Sequence, residues 1–164
     1  MKIINIAASV LLIFFLIILQ TSFFSNWEYL SRLNLILGAI IFLSVKNYRL
    51  ALLWALIGGL FLDLFSFFPF GVFILDLIFS VFIINFLVKN FFSHYSFTSI
   101  IILSLIGVSF YNIFLLIASQ FFYFTRIINF SPILDKIYFL NFGWQLVINS
   151  LFILFLFFLA KPKL

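Results

Sequence analysis

The sequence has 164 residues, 67% of them hydrophobic and 8% charged, with a formal net charge of +5. A soluble domain carries about 25% charged residues, so this chain could not hide its apolar surface from water, and the solvent it implies is a bilayer. Without cysteine it has no disulfide, thiol nucleophile or Cys-based metal site; with His94 as its one histidine it has no paired-His zinc site; and its scattered Lys and Arg read as topology signals rather than a nucleic-acid surface.

A membrane span takes about 20 apolar residues. Six segments meet or approach that length, at about 3–21, 31–45, 49–66, 70–88, 97–122 and 139–160. Each is expected to be a helix, because an open strand would leave backbone groups unpaired in lipid. Lys2 followed by Ile3 to Leu19 has the outline of a secretory signal. No small-x-small cleavage site follows at Gln20-Thr21-Ser22-Phe23-Phe24, so an uncleaved first span is expected. The 31–45 segment is short, and its expected full crossing rests on charge. With the N-terminus inside, Lys2, Lys46, Arg49, Lys89, Lys161 and Lys163 fall inside and Arg32, Arg126 and Lys136 outside, which places both termini in the cytoplasm. The prediction is an all-α integral membrane protein with six transmembrane helices, a single transmembrane domain over 1–164. The larger outer loops, about 22–31 and 123–138, carry Trp27 with Glu28 and Asp135 with Lys136. Pro132 discourages a continuous helix in the second. The 29 phenylalanines are expected to face lipid or fill packing space.

Asp63 is the first residue that could carry chemistry. A carboxylate at mid-helix costs about 2.5–3.5 kcal/mol to insert, so it needs a reason. It lies about 20 Å from the inner end of its span, in the outer half of the bilayer. Gly59 and Ser66 share its face, and small residues there permit close helix approach. The structural reading is a hydrogen-bond anchor that pins the turn or a neighbouring helix, through Asn141, Gln145 or a backbone N–H of the turn. The functional reading is a relay or ligand site. Asp76 sits at similar depth on the next, antiparallel span. If the two acids converge they form a paired-acid site in which both cannot easily be charged. Between them Pro69 fixes its own φ and biases Phe68 away from helix, while Gly71 permits a tight entry, so spans three and four form a hairpin.

Asn141, Gln145 and Asn149 recur at i, i+4 and i+8 in the last span, and Ser109, Asn112 and Ser119 have compatible spacing in the fifth. They read as interhelical hydrogen-bonding groups or as the lining of a polar cavity beneath the outer face. His94 reads as a solvated loop residue. No Ser-His-Asp set, phosphate-binding glycine loop or metal motif is present in the sequence, so neither an enzyme nor a cofactor is expected.

Gly59-Leu60-Phe61-Leu62-Asp63-Leu64-Phe65-Ser66 followed by Pro69-Phe70-Gly71-Val72 resembles the signature of the MreD family, the rod-shape-determining proteins of the bacterial inner membrane. That family shows a glycine, apolar residues, leucine-aspartate-leucine, a short turn and a leucine-glycine pair. Asp63 falls on its aspartate, Gly71 on its glycine, and Asn149 on an asparagine of some members. The specific likeness covers about residues 57–75. The turn is more apolar than the usual one, and Asp76 stands where an apolar residue is expected. The resemblance implies a non-enzymatic scaffold of cell elongation and lateral peptidoglycan synthesis. Its implied partners are an MreC-like protein, a RodA-type glycosyltransferase, a transpeptidase and the MreB-linked machinery. It also implies a fold similar to the substrate-binding subunits of energy-coupling-factor vitamin transporters. The alternative expectation is such a substrate-binding subunit itself, with a small molecule held in an outer cavity. A lipid-processing enzyme is the third class weighed, and the acid, base or metal set it needs is missing from the sequence.

Overall fold

The computed structural model describes residues 3–92, 97–129 and 135–160. His94, Pro132, Lys2, Lys161 and Lys163 lie outside the described residues. Every described element is helical: α1 (Ile3–Ile18), α2 (Leu35–Lys46), α3 (Tyr48–Leu64), α4 (Val72–Asn90), α5 (Phe97–Phe124) and α6 (Lys136–Ala160). Four stretches, Ser9–Asn26, Val72–Asn90, Phe97–Phe124 and Lys136–Ala160, are long and apolar enough to cross a membrane. Each of the six helices overlaps one of the segments expected from hydropathy, with the largest boundary change at the second.

That second helix is the short one. It begins at Leu35, because Asn34 is extended and its side chain accepts the Leu37 N–H at 3.0 Å, a cap that fixes the first turn. Ahead of it, Phe24–Asn26 and Leu30–Arg32 form 3-10 turns instead of helix. Its 12 residues span about 18 Å at 1.5 Å each, well short of a hydrocarbon core about 30 Å thick. Nine of the 12 are buried, and α2 touches all five other helices. It is the centre of the bundle, so its hydropathy reports burial in protein rather than contact with lipid.

The other helices wrap it in the spatial order α1, α3, α4, α5, α6, and the α1–α2 connection lies against α6. Ile36, Leu37, Ile40 and Ile41 of α2 meet Ile13 and Ile17 of α1, Leu77, Val81 and Ile84 of α4, Leu103 and Val108 of α5 and Ile153 of α6 in one apolar core. Phe rings such as Phe79, Phe86, Phe121, Phe155 and Phe158 point outwards. A water-facing protein does not expose a belt of this kind, whereas a lipid-facing one does. At one end of the bundle Asn47 joins two helices by itself: its N–H bonds Leu43 O of α2 at 2.6 Å, and its side chain accepts the Leu50 N–H of α3 at 3.2 Å. The opposite end holds the α3–α4 turn, the α1–α2 connection and the polar groups described next.

Candidate functional site at the hairpin end

Asp63 lies one residue before the end of α3 and is 5% exposed. Its two carboxylate oxygens accept the backbone N–H groups of Phe73 (2.9 Å) and Ile74 (3.3 Å) in the first turn of α4. These N–H groups have no partner within their own helix, so the acid both satisfies them and meets the positive end of the helix dipole. Gly71, at φ 102°, turns the chain into α4 without a side-chain cap of its own, and Asp63 supplies from α3 what the local sequence lacks. Ser66 tightens the turn by donating to Asp63 O (3.2 Å) and accepting from Phe68 N (3.3 Å).

The glycine pair serves two neighbours. A Cβ on Gly59 would sit 2.6 Å from Ile74 Cα, so its absence lets the backbones of α3 and α4 close up. A Cβ on Gly58 would sit 2.8 Å from Ile36 Cγ2 of α2. This resolves the expectation for Asp63 in favour of the backbone N–H groups. Asn141 and Gln145 are not its partners, for its oxygens are already directed at α4.

Asp76 is not joined to Asp63. It is fully buried one turn further along α4, and neither of its oxygens, nor Ser80 Oγ one turn on, has a hydrogen-bond partner among the described residues. The paired-acid arrangement is therefore absent: one acid is bonded to a helix start, and the other lies against the bundle core with no hydrogen bond to it.

The start of α2 is the second polar centre. Asn149, fully buried on α6, accepts the Asn34 N–H through Oδ1 (2.8 Å), and its Nδ2 donates to Arg32 O (3.1 Å) and Gln145 O (2.8 Å). Gln20, just past α1, accepts the Leu35 N–H at 3.0 Å. Asn34 caps the same turn. Three amides from three parts of the chain thus hold one buried helix start. In the core beyond, Ser104 and Ser150 tie α5 to α6 at 3.1 Å, whereas Asn112 and Ser119, expected to bond between helices, donate within α5 to Val108 O and Leu116 O.

Above this start lies a cavity of about 420 Å³. Its polar walls come from Gln20 and Thr21, from Ser31, Arg32 and Asn34, and from Tyr111, Asn112 and Gln145; Leu62, Phe65, Ser66 and Phe73 of the hairpin close one side. Arg32 is the one charged residue in that lining, and its Nη1 is buried without a partner among the described residues. Of the expected polar interior, Asn112 and Gln145 reach the cavity wall, Asn149 anchors the helix start beneath it, and Asp76 and Asn141 are not brought to it. The 40° drift at each i, i+4 step carries Asn141 round α6 from the face of Asn149. Gln20, Arg32, Asn34 and Tyr111 were not expected here. Asn34, directly before an apolar run, carries a helix-start signal that could have located the site.

Among the described residues no group of His, Cys, Asp and Glu is placed to hold a metal ion. Comparison with protein-family models, with curated proteins and with solved structures gives no match.

Proposed function

We propose that the chain is a non-enzymatic membrane scaffold of the MreD kind. It would sit in the bacterial inner membrane with six helices and both termini in the cytoplasm, and work with an MreC-like partner and the RodA-type glycosyltransferase and transpeptidase in lateral wall synthesis. The supporting observation is the Asp63 bond to Phe73 N and Ile74 N across the Pro69–Gly71 turn. The residues that carry the resemblance are those that lock one hairpin, so the motif has a mechanical reason to exist as a unit. A scaffold needs such rigid hairpins more than it needs a reactive group. Pull-down of the tagged chain from native membranes should bring an MreC-like single-span protein with it, and depletion should round the cells. Rod shape and wall insertion that survive depletion unchanged would overturn this reading.

A second reading, a substrate-binding subunit of a small-molecule transporter, is favoured by one observation: the polar region at the hairpin end of the bundle holds an open cavity instead of being filled by side chains. On this reading native mass spectrometry of gently purified protein detects a bound small molecule, and an energising partner co-purifies. A protein that carries no small molecule and meets no such partner rules it out.

A further inference from the structure

We propose that the cavity at the start of α2 binds a phosphate group, carried by a lipid headgroup or by a solute, with the Arg32 guanidinium as its anchor. The inference rests on that cavity being a ligand site, as in the second reading above, but it does not require transport.

Arg32 carries the argument. An arginine that only marks topology sends its tip to water or to the open headgroup layer. Arg32 is instead half-buried in the cavity wall, where it is the one charged residue, and its Nη1 meets no acceptor among the described residues. A buried donor left unsatisfied is costly, and a guanidinium is a planar fork that matches phosphate oxygens. No acid competes for it within the lining, since Asp63 is directed at α4 and neither Asp63 nor Asp76 reaches the cavity wall.

The helix start beneath adds to the attraction. α2 has no acidic residue in its first turn, and its capping groups, Asn34, Gln20 and Asn149, are neutral. The N–H groups are satisfied while the positive end of the dipole stays uncompensated, which favours an anion nearby. Neutral donors are also at hand: Gln20, whose oxygen is held by the Leu35 N–H, keeps its NH2 end, and Gln145 supplies another. Trp27 and Trp144 are exposed close to this end and Tyr29 packs against Trp144 with tilted rings 5.2 Å apart, the aromatic setting of a headgroup layer. The volume of about 420 Å³ is that of a small-ligand site.

The test uses the full chain in micelles of a maltoside detergent, which carries no phosphate, and reads its thermal unfolding midpoint. One arm titrates inorganic phosphate against sodium chloride of matched ionic strength. The other adds phosphatidylglycerol to the micelles. At least one arm should raise the midpoint of the natural protein. Arg32→Gln should weaken that response by about tenfold or more, a loss that corresponds to one good charge-assisted contact. Arg32→Lys should keep part of it, and Arg126→Gln, on an exposed loop outside the cavity, all of it. Because Arg32 Nη1 bonds nothing within the described chain, Arg32→Gln should not lower the unliganded midpoint, so loss of response is not loss of fold. A response in the lipid arm alone supports the phosphate site and counts against solute capture. A response to inorganic phosphate supports both. No response in either arm, or an equal response in Arg32→Gln, overturns the phosphate site and leaves capture of an uncharged solute to be judged by native mass spectrometry.

Discussion

Two helices start inside this bundle, and they are held in opposite ways. The first turn of α4 is met by a charge, the Asp63 carboxylate, at 2.9 and 3.3 Å. The first turn of α2 is met by neutral amides of Asn34, Gln20 and Asn149, at 2.8 to 3.0 Å. A carboxylate both bonds the N–H groups and cancels the dipole, so the α4 start is electrostatically closed. Amides only bond, so the α2 start stays positive, and it is this start that faces a cavity with Arg32 in its wall. The difference separates fastening from reception: the hairpin is a joint, and the α2 start is a place where something else can complete the charge.

The comparison breaks most visibly at Asp63. Asp63→Leu strands two buried N–H groups, at about 1–3 kcal/mol each, and should reduce folded protein in membranes by about 3 kcal/mol in a denaturant titration. Asp63→Asn keeps one strong acceptor and should lose about 1 kcal/mol. Equal levels of natural protein, Asn and Leu variants would remove the joint from the account. Next in size is the glycine pair. Gly59→Ala places a Cβ 2.6 Å from Ile74 Cα, a backbone atom that cannot yield alone, and should cost about 2 kcal/mol by forcing α3 and α4 apart. Gly58→Ala meets Ile36 Cγ2, the end of a side chain that can turn, and should cost about 1 kcal/mol. The reverse order in unfolding titrations would mean that α2, not α4, is the tighter neighbour of α3.

The joint was legible in the sequence because all of its signals are local. An acid in an apolar run, a glycine one turn before it and a Pro-x-Gly break lie within 13 residues, Gly59 to Gly71, and each has a direct backbone meaning. The receptive site was not legible, because Gln20, Arg32, Tyr111 and Gln145 come together only when α1, α5 and α6 close round α2. Charge counting assigns Arg32 to a connection between spans but says nothing of where a side-chain tip is buried. Hydropathy likewise marked 31–45 as apolar without distinguishing a lipid-facing span from a buried one, so α2 was expected longer and starting earlier than Leu35. Equal depth left open whether Asp76 converges with Asp63, because depth does not fix which way a helix turns.

Asn149 tests the amide side of the comparison. Asn149→Leu removes bonds to Asn34 N, Arg32 O and Gln145 O. Interhelical polar contacts in membranes reach about 1–2 kcal/mol, so the expected loss is about 1.5 kcal/mol, smaller than at Asp63 although more bonds are broken. A loss equal to that of Asp63→Leu would mean that charge adds nothing to a buried cap in this bundle.

The finest test converts one helix start into the other. Asn34→Asp keeps the cap, since Asp and Asn serve equally well at that position. The new carboxylate lies on the dipole of α2 and in the same lining as Arg32, which offsets much of the cost of burying it. The expected change in stability is therefore within about 1 kcal/mol. The same substitution supplies the negative charge that the α2 start lacks, so the midpoint response to phosphate or to phosphatidylglycerol should disappear while the fold remains. If the response survives in Asn34→Asp, the uncompensated dipole is not what draws an anion to this cavity, and the attraction reduces to Arg32 alone.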